Sequence, residues 1–330
     1  MRGQLVVVNE ATSSHAQADA STMTGSVVTQ SKPIKFFAKT TIATVITAVL
    51  ASPMAFAENS HLYDGEYHDI SGSITTMDNL IIDQGAHLQN DLNYFIPELT
   101  QSNANATFKG TLTNAGTVEG DGVINAKKVV NQLGGTFTMG TLTLKNPLAG
   151  VDGLTNAGTM SIDTLDTANA NVSNTGTVTV KNAYNLAGKF VNSGTLNLGM
   201  TNVHGELANS SNNATVDALN VKSNGKVTGS GMLNVTTVDV ATTGNVAQNV
   251  INAKGSVTNA GKMTLTNLGL KGDMTNSGTA TIGSVASIES GRTTLTNQST
   301  GVLTISEGVS GFLCLGRLFQ GQPNEAALCI

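Results

Sequence analysis

Charge is scarce in this chain: lysine, arginine, aspartate and glutamate make up 12% of its 330 residues, where an ordinary globular domain carries about 25%. The formal net charge of -5 leaves no basic stripe to neutralise phosphates, which excludes nucleic acid as a partner. Aromatic residues amount to 4% and tryptophan is absent, so the composition is not that of an ordinary enzyme. Both cysteines, Cys314 and Cys329, fall in the last 20 residues, so the body of the protein holds no disulfide and no thiolate metal site. What remains is rich in Gly, Asn, Thr, Ser, Ala and Val, a mixture of turn formers and strand formers that suits many short strands joined by tight turns.

Residues 32–57 have the layout of an export signal. Lys32, Lys35 and Lys39 precede the apolar run Thr40 to Leu50, and Ala55-Phe56-Ala57 offers a small-residue cleavage site. The apolar run is 11 residues long, whereas a membrane-spanning helix needs about 20, so cleavage after Ala57 is expected rather than a retained anchor.

One unit, apolar-x-Asn-x-Gly-x-apolar-x-apolar, recurs along the chain. It reads LTNAGTMSI from Leu154, VSNTGTVTV from Val172, FVNSGTLNL from Phe190, VTNAGKMTL from Val257 and MTNSGTATI from Met274. LTNAGTVEG from Leu112 gives up its last apolar position to Gly120, and LTNQSTGVLTI from Leu295 carries a two-residue insertion. The asparagines Asn114, Asn156, Asn174, Asn192, Asn259, Asn276 and Asn297 are spaced by 42, 18, 18, 67, 17 and 21 residues. These intervals read as one turn of about 17–21 residues or multiples of it, with degenerate copies at Asn131 and Asn209 in the long gaps.

Physically, Asn-x-Gly is a turn, and Gly116, Gly158, Gly176, Gly194, Gly261 and Gly278 are expected there to take a positive φ. After each turn apolar and polar residues alternate, as in Met160 and Ile162 against Thr159 and Ser161, which buries one face of a strand. A near-identical turn every 18 or so residues in chain order demands stacked coils rather than a sandwich. The fold class expected is all-β: a right-handed parallel β-helix of about a dozen turns, on the order of 55–60 Å long at the strand spacing. The asparagines should stack and exchange side-chain amide hydrogen bonds. Pro97 and Pro147 alone fall in the mature repeat region, and near-absence of proline is what a continuous ladder requires.

The sequence carries no recognisable catalytic, cofactor or metal site. Gly308-Val-Ser310-Gly-Phe312 fails as a serine-nucleophile elbow at its last position. His61 and His68 near Asp64, Glu66 and Asp69 match no established ligand spacing, and a solvated loop is the reading adopted for them. Gly116 to Gly122, with Glu119 and Asp121, resembles a calcium-binding nonapeptide but occurs once. Lys271-Gly-Asp273 is a receptor-like tripeptide of a kind that recurs by chance.

The signal, the Gly/Asn/Thr-rich units and the low charge together resemble the passenger domain of a Gram-negative autotransporter, over residues 5 to 310. Residues 1–31, with Leu5-Val-Val-Val8-Asn, resemble an extended signal-peptide region, although Val8 stands where that region typically has tryptophan; a start codon placed too far upstream is the alternative. The resemblance implies export by the inner-membrane machinery, passage through an outer-membrane barrel, and a role at the cell surface or outside the cell. Its expected partners are a host-cell surface, a glycan or a second copy, in adhesion, aggregation or biofilm formation, with no cofactor. Residues 58–105 are expected to form a cap or irregular first turns, and 106–310 the solenoid. Residues 311–330 leave the repeat, as either a cap or the product of a truncated or frame-shifted gene. The barrel of such proteins is not found before Ile330, so a separate barrel, periplasmic retention or a non-functional remnant are the corresponding expectations. A secreted β-helix enzyme acting on polysaccharide or protein is the other alternative, and the long period favours a monomer.

Overall fold

The computed structural model describes residues 59–70, 74–77, 79–90, 105–145, 151–287, 293–310, 313–316 and 328–329. The export signal with Ala55 and Ala57, and the residues before it, lie outside that set. The described residues form a parallel β-solenoid of about 11 turns without a helix.

Each coil crosses three faces. One coil runs through Asn171–Asn174 on the first face, Thr177–Val180 on the second and Tyr184–Leu186 on the third, and Lys189–Asn192 then lies on the first face again. There Val172 pairs with Phe190 and Asn174 with Asn192 in parallel register. Alternation fixes which side chains point inward. On the second face Phe137, Met160, Val178, Leu196, Ala214, Leu233 and Ile251 stack in register and are all buried. Full burial of each large aliphatic or aromatic side chain contributes about 1.5–3 kcal/mol. Val, Leu and Ile supply most of the buried core, with Phe108, Phe137, Tyr184 and Phe190 as its rings.

The asparagines form two ladders, not one, buried except at Asn297. In the first, Asn114, Asn131, Asn156, Asn174, Asn192 and Asn209 are joined in that order, each Nδ2 donating to the next Oδ1 at 2.7–2.8 Å. The second runs Asn259, Asn276, Asn297 at 2.7 and 2.8 Å. The amides donate to backbone as well: Asn174 reaches the carbonyls of Gly176 at 3.3 Å and Thr195 at 3.0 Å. Asn131 and Asn209 thus fill two of the gaps left in the spacing.

The interval from Asn209 to Asn259 is not a whole number of coils. The first ladder stands at the corner between the first and second faces, whereas the second stands between the third and first, since Val203, Val221, Val240 and Asn259 are register partners. The motif has moved to another corner of the same prism. Each ladder starts above an apolar residue, Ile82 under Asn114 and Val240 under Asn259. Accordingly Asn114 Oδ1 and Asn259 Oδ1 are buried without a hydrogen-bond partner.

The glycines of the motif do not take a positive φ; among the described glycines that conformation belongs to Gly65, Gly85, Gly120, Gly134, Gly229 and Gly308. Close stacking is the reason for them instead. A Cβ on Gly176 would sit 2.1 Å from the Gly158 carbonyl oxygen, and one on Gly194 2.1 Å from that of Gly176. The corners of successive coils touch backbone to backbone, and only glycine leaves room.

Parallel pairing continues at both ends of the described residues. The first coils are regular: Asn59–Leu62 pairs in parallel with Asn79–Ile82, and Tyr67–Asp69 with His87–Gln89. Leu62, Leu80, Ile82 and Leu88 supply inward side chains there. Beyond residue 310, Leu313–Gly316 adds one more parallel rung on Thr293–Asn297, with Leu328–Cys329 antiparallel beside it.

Candidate interaction surface

Outward residues of the solenoid fall into columns at the coil spacing of about 4.8 Å, with neighbours along a strand about 6.7 Å apart. On the second face Thr117, Thr136, Thr159, Thr177 and Thr195 are successive register partners. Two residues along, Glu119, Thr138, Ser161, Thr179, Asn197 and Thr215 form the parallel column. Period-two alternation places them outward, and Asn197 Nδ2 reaches Thr179 Oγ1 at 3.5 Å across the coils. The result is a sheet face of hydroxyl and methyl groups.

The third face carries an amide ladder at the surface. Asn202 Nδ2 donates to Asn185 Oδ1 at 2.8 Å, and Asn220 Nδ2 to Asn202 Oδ1 at 3.1 Å. This ladder donates toward the N-terminus, opposite to the buried ones.

Charged groups pair across coils: Lys181 with Asp163 at 2.6 Å and Lys189 with Glu206 at 3.3 Å. Exposed as they are, such pairs contribute roughly 0–1 kcal/mol each. Among the described residues no three His, Cys, Asp or Glu side chains come together in a way that could hold a metal ion. His61 Nε2 instead meets Asp83 Oδ1 at 2.8 Å, while His68 occupies an inward position in register with Leu88. Burial lowers the His68 pKa below its ordinary value, outweighing the Asp69 and Glu66 charges that raise it. The two histidines therefore serve different faces. The Gly116–Gly122 stretch wraps Asn90: Gly120, at φ +140, and Gly122 would each place a Cβ within 2.1–2.5 Å of the Asn90 carbonyl oxygen.

That wrapping has a twin. Gly229 takes φ +136 and would place a Cβ 1.9 Å from the Asn209 carbonyl oxygen, and Gly231 one 2.2 Å from that of Ser211. TVEGDGVIN from Thr117 and KVTGSGMLN from Lys226 share a Gly-x-Gly pair, in each case one coil after a buried asparagine. This signal is present in the sequence and marks where the asparagine side chain donates to a backbone carbonyl, Val123 for Asn90 and Met232 for Asn209, rather than to another asparagine. A buried pair in the core, Tyr184 Oη to Thr167 Oγ1 at 2.9 Å, carries no repeat signal at all.

No protein-family model, no curated protein and no solved structure matches the chain.

Proposed function

We propose that this chain is an exported surface passenger of the autotransporter kind, acting in adhesion, aggregation or biofilm formation through its lateral face. The observation that carries the reading is the paired column of hydroxyls, Thr117 to Thr195 beside Thr138, Ser161 and Thr179. A rigid array repeated at the coil spacing makes many individually weak contacts with a partner surface, and such contacts add by multivalency. The signal-like segment 32–57 supports passage through the inner-membrane machinery, after which an outer-membrane barrel delivers the chain to the surface.

The test is graded substitution in cells that produce the full chain. Replacing Thr136, Thr159 and Thr177 one, two and three at a time by lysine is expected to reduce surface attachment in steps. Loss of all attachment on one substitution, or none on three, would contradict a distributed contact.

A further inference from the structure

Of the described aromatic side chains, Phe108, Phe137, Tyr184 and Phe190 are buried in the core. The two exceptions, Tyr63 and Tyr67, stand at the surface of the first coil, and Tyr67 is 61% exposed. Among the described residues the surface tyrosine rings thus lie in one coil. Tyr67 also belongs to the second face, heading the column that continues through His87 and Thr117 into the threonines. Beside it runs the column Asp69, Gln89, Glu119, Thr138.

We infer that this end of the second face binds a neutral polysaccharide chain, with Tyr67 as the stacking platform and Asp69, Gln89 and Glu119 as hydroxyl acceptors. The inference deepens the adhesive reading above, on which it rests for taking the second face as the contact surface.

Three features point to that partner. A pyranose presents an apolar C–H face and a rim of hydroxyls, which fits an amphipathic ring flanked by acceptors. The platform is pre-organised: Tyr67 packs edge-on against His87 at 4.9 Å and 63°. His87 Nε2 in turn lies 3.1 Å from Glu119 Oε1 and 3.2 Å from Gln89 Oε1, so little ordering entropy remains to be lost on binding. Finally, the two columns from Tyr67 and Asp69 to Thr195 and Asn197 contain no lysine or arginine. The carboxylates there, Asp69 and Glu119, repel a uronate, sialate or phosphate, so charge favours an uncharged glycan. Successive acceptors repeat at about 4.8 Å, which lets a chain lying along the solenoid axis meet one acceptor per coil.

The experiment is calorimetric titration of the purified chain with cellohexaose, xylohexaose and maltohexaose, with oligogalacturonate as the charged comparison. At least one neutral hexasaccharide is expected to bind. Tyr67→Ala should weaken it by about tenfold or more, as loss of a central aromatic anchor does. Tyr67→Phe should stay near wild type, and Glu119→Ala should weaken binding with the coil signal in circular dichroism unchanged. Absence of binding to all three, equal binding by Tyr67→Ala, or tighter binding of oligogalacturonate would overturn the inference. Attachment assays on the same variants separate it from the broader reading. Hexasaccharide binding without cell attachment retains the site and removes the adhesive role; attachment without hexasaccharide binding does the reverse.

Discussion

The side chain of Gln248 reaches past an entire coil to Asn209, its Nε2 donating to the Asn209 carbonyl at 3.2 Å and to the Gly231 carbonyl at 2.8 Å. The coil between offers no side chain in the way, because the register partner of Gln248 there is Gly229. The first asparagine ladder therefore ends under a glycine, and a glutamine two coils on closes it.

Ladder members and their cap should be unequal to surface amides. Asn174→Ala leaves the buried Oδ1 of Asn192 without its donor and opens a small void, which is expected to cost about 2–4 kcal/mol. Gln248→Leu should cost about 1–3 kcal/mol by stranding two carbonyls, while Asn202→Ala in the exposed ladder should stay within about 1 kcal/mol. Urea denaturation of the three variants checks the ranking; equal costs for Asn174 and Asn202 would refute it.

Glycines of the two kinds should respond oppositely to a side chain. Gly176→Ala forces a methyl to within 2.1 Å of the Gly158 carbonyl oxygen, so adjacent coils must separate and the yield of folded protein should collapse. Gly134 has φ +84 with nothing within 4 Å of a Cβ, and Asn tolerates that conformation, so Gly134→Asn should shift stability by about 1 kcal/mol at most. Thermal melts of both variants decide the matter.

The core hydroxyls form a pair that should be replaceable only together. Tyr184→Phe leaves the fully buried Thr167 hydroxyl unpartnered, at a cost of about 1–3 kcal/mol. Adding Thr167→Val should recover most of that loss, which a double-mutant cycle measures. Burial also pushes the Tyr184 hydroxyl far above its ordinary value, so ultraviolet titration should find it protonated until the chain unfolds.

Acid should loosen the first coil. Burial holds the His68 pKa below its ordinary 6.5, so the unfolded coil takes up a proton more readily than the folded one. Stability from this group is therefore complete above about pH 6.5 and declines as the pH falls below it. Hydrogen exchange over residues 59–70 should quicken at pH 5 relative to pH 7 after correction for intrinsic rates, and His68→Leu should remove the difference.

The fold was legible because alternation and the Asn-x-Gly period act at every coil: Met160, Ile162, Val178 and Val180 are all buried, as their spacing demands. The reason for the glycines was not, since a positive φ and a close backbone approach ask for the same residue. Nor was the break between the ladders, because the motif specifies a corner without saying which of three corners it occupies. Gln248 and Tyr184 act once each, and a residue that does not repeat leaves no period to find. On the surface, the threonine columns follow from the same alternation, but the alignment of Tyr67 with His87 depends on the regular first coils, which the sequence did not display as repeats.

The most direct test of the proposed function is settling of cells that carry the solenoid, residues 58–330, fused to an unrelated outer-membrane barrel, followed by turbidity against cells carrying the barrel alone. Faster settling or attachment that declines stepwise as Thr136, Thr159 and Thr177 are replaced is the expected result. Surface display confirmed by antibody, with settling and attachment no different from the barrel alone, would contradict the adhesive role.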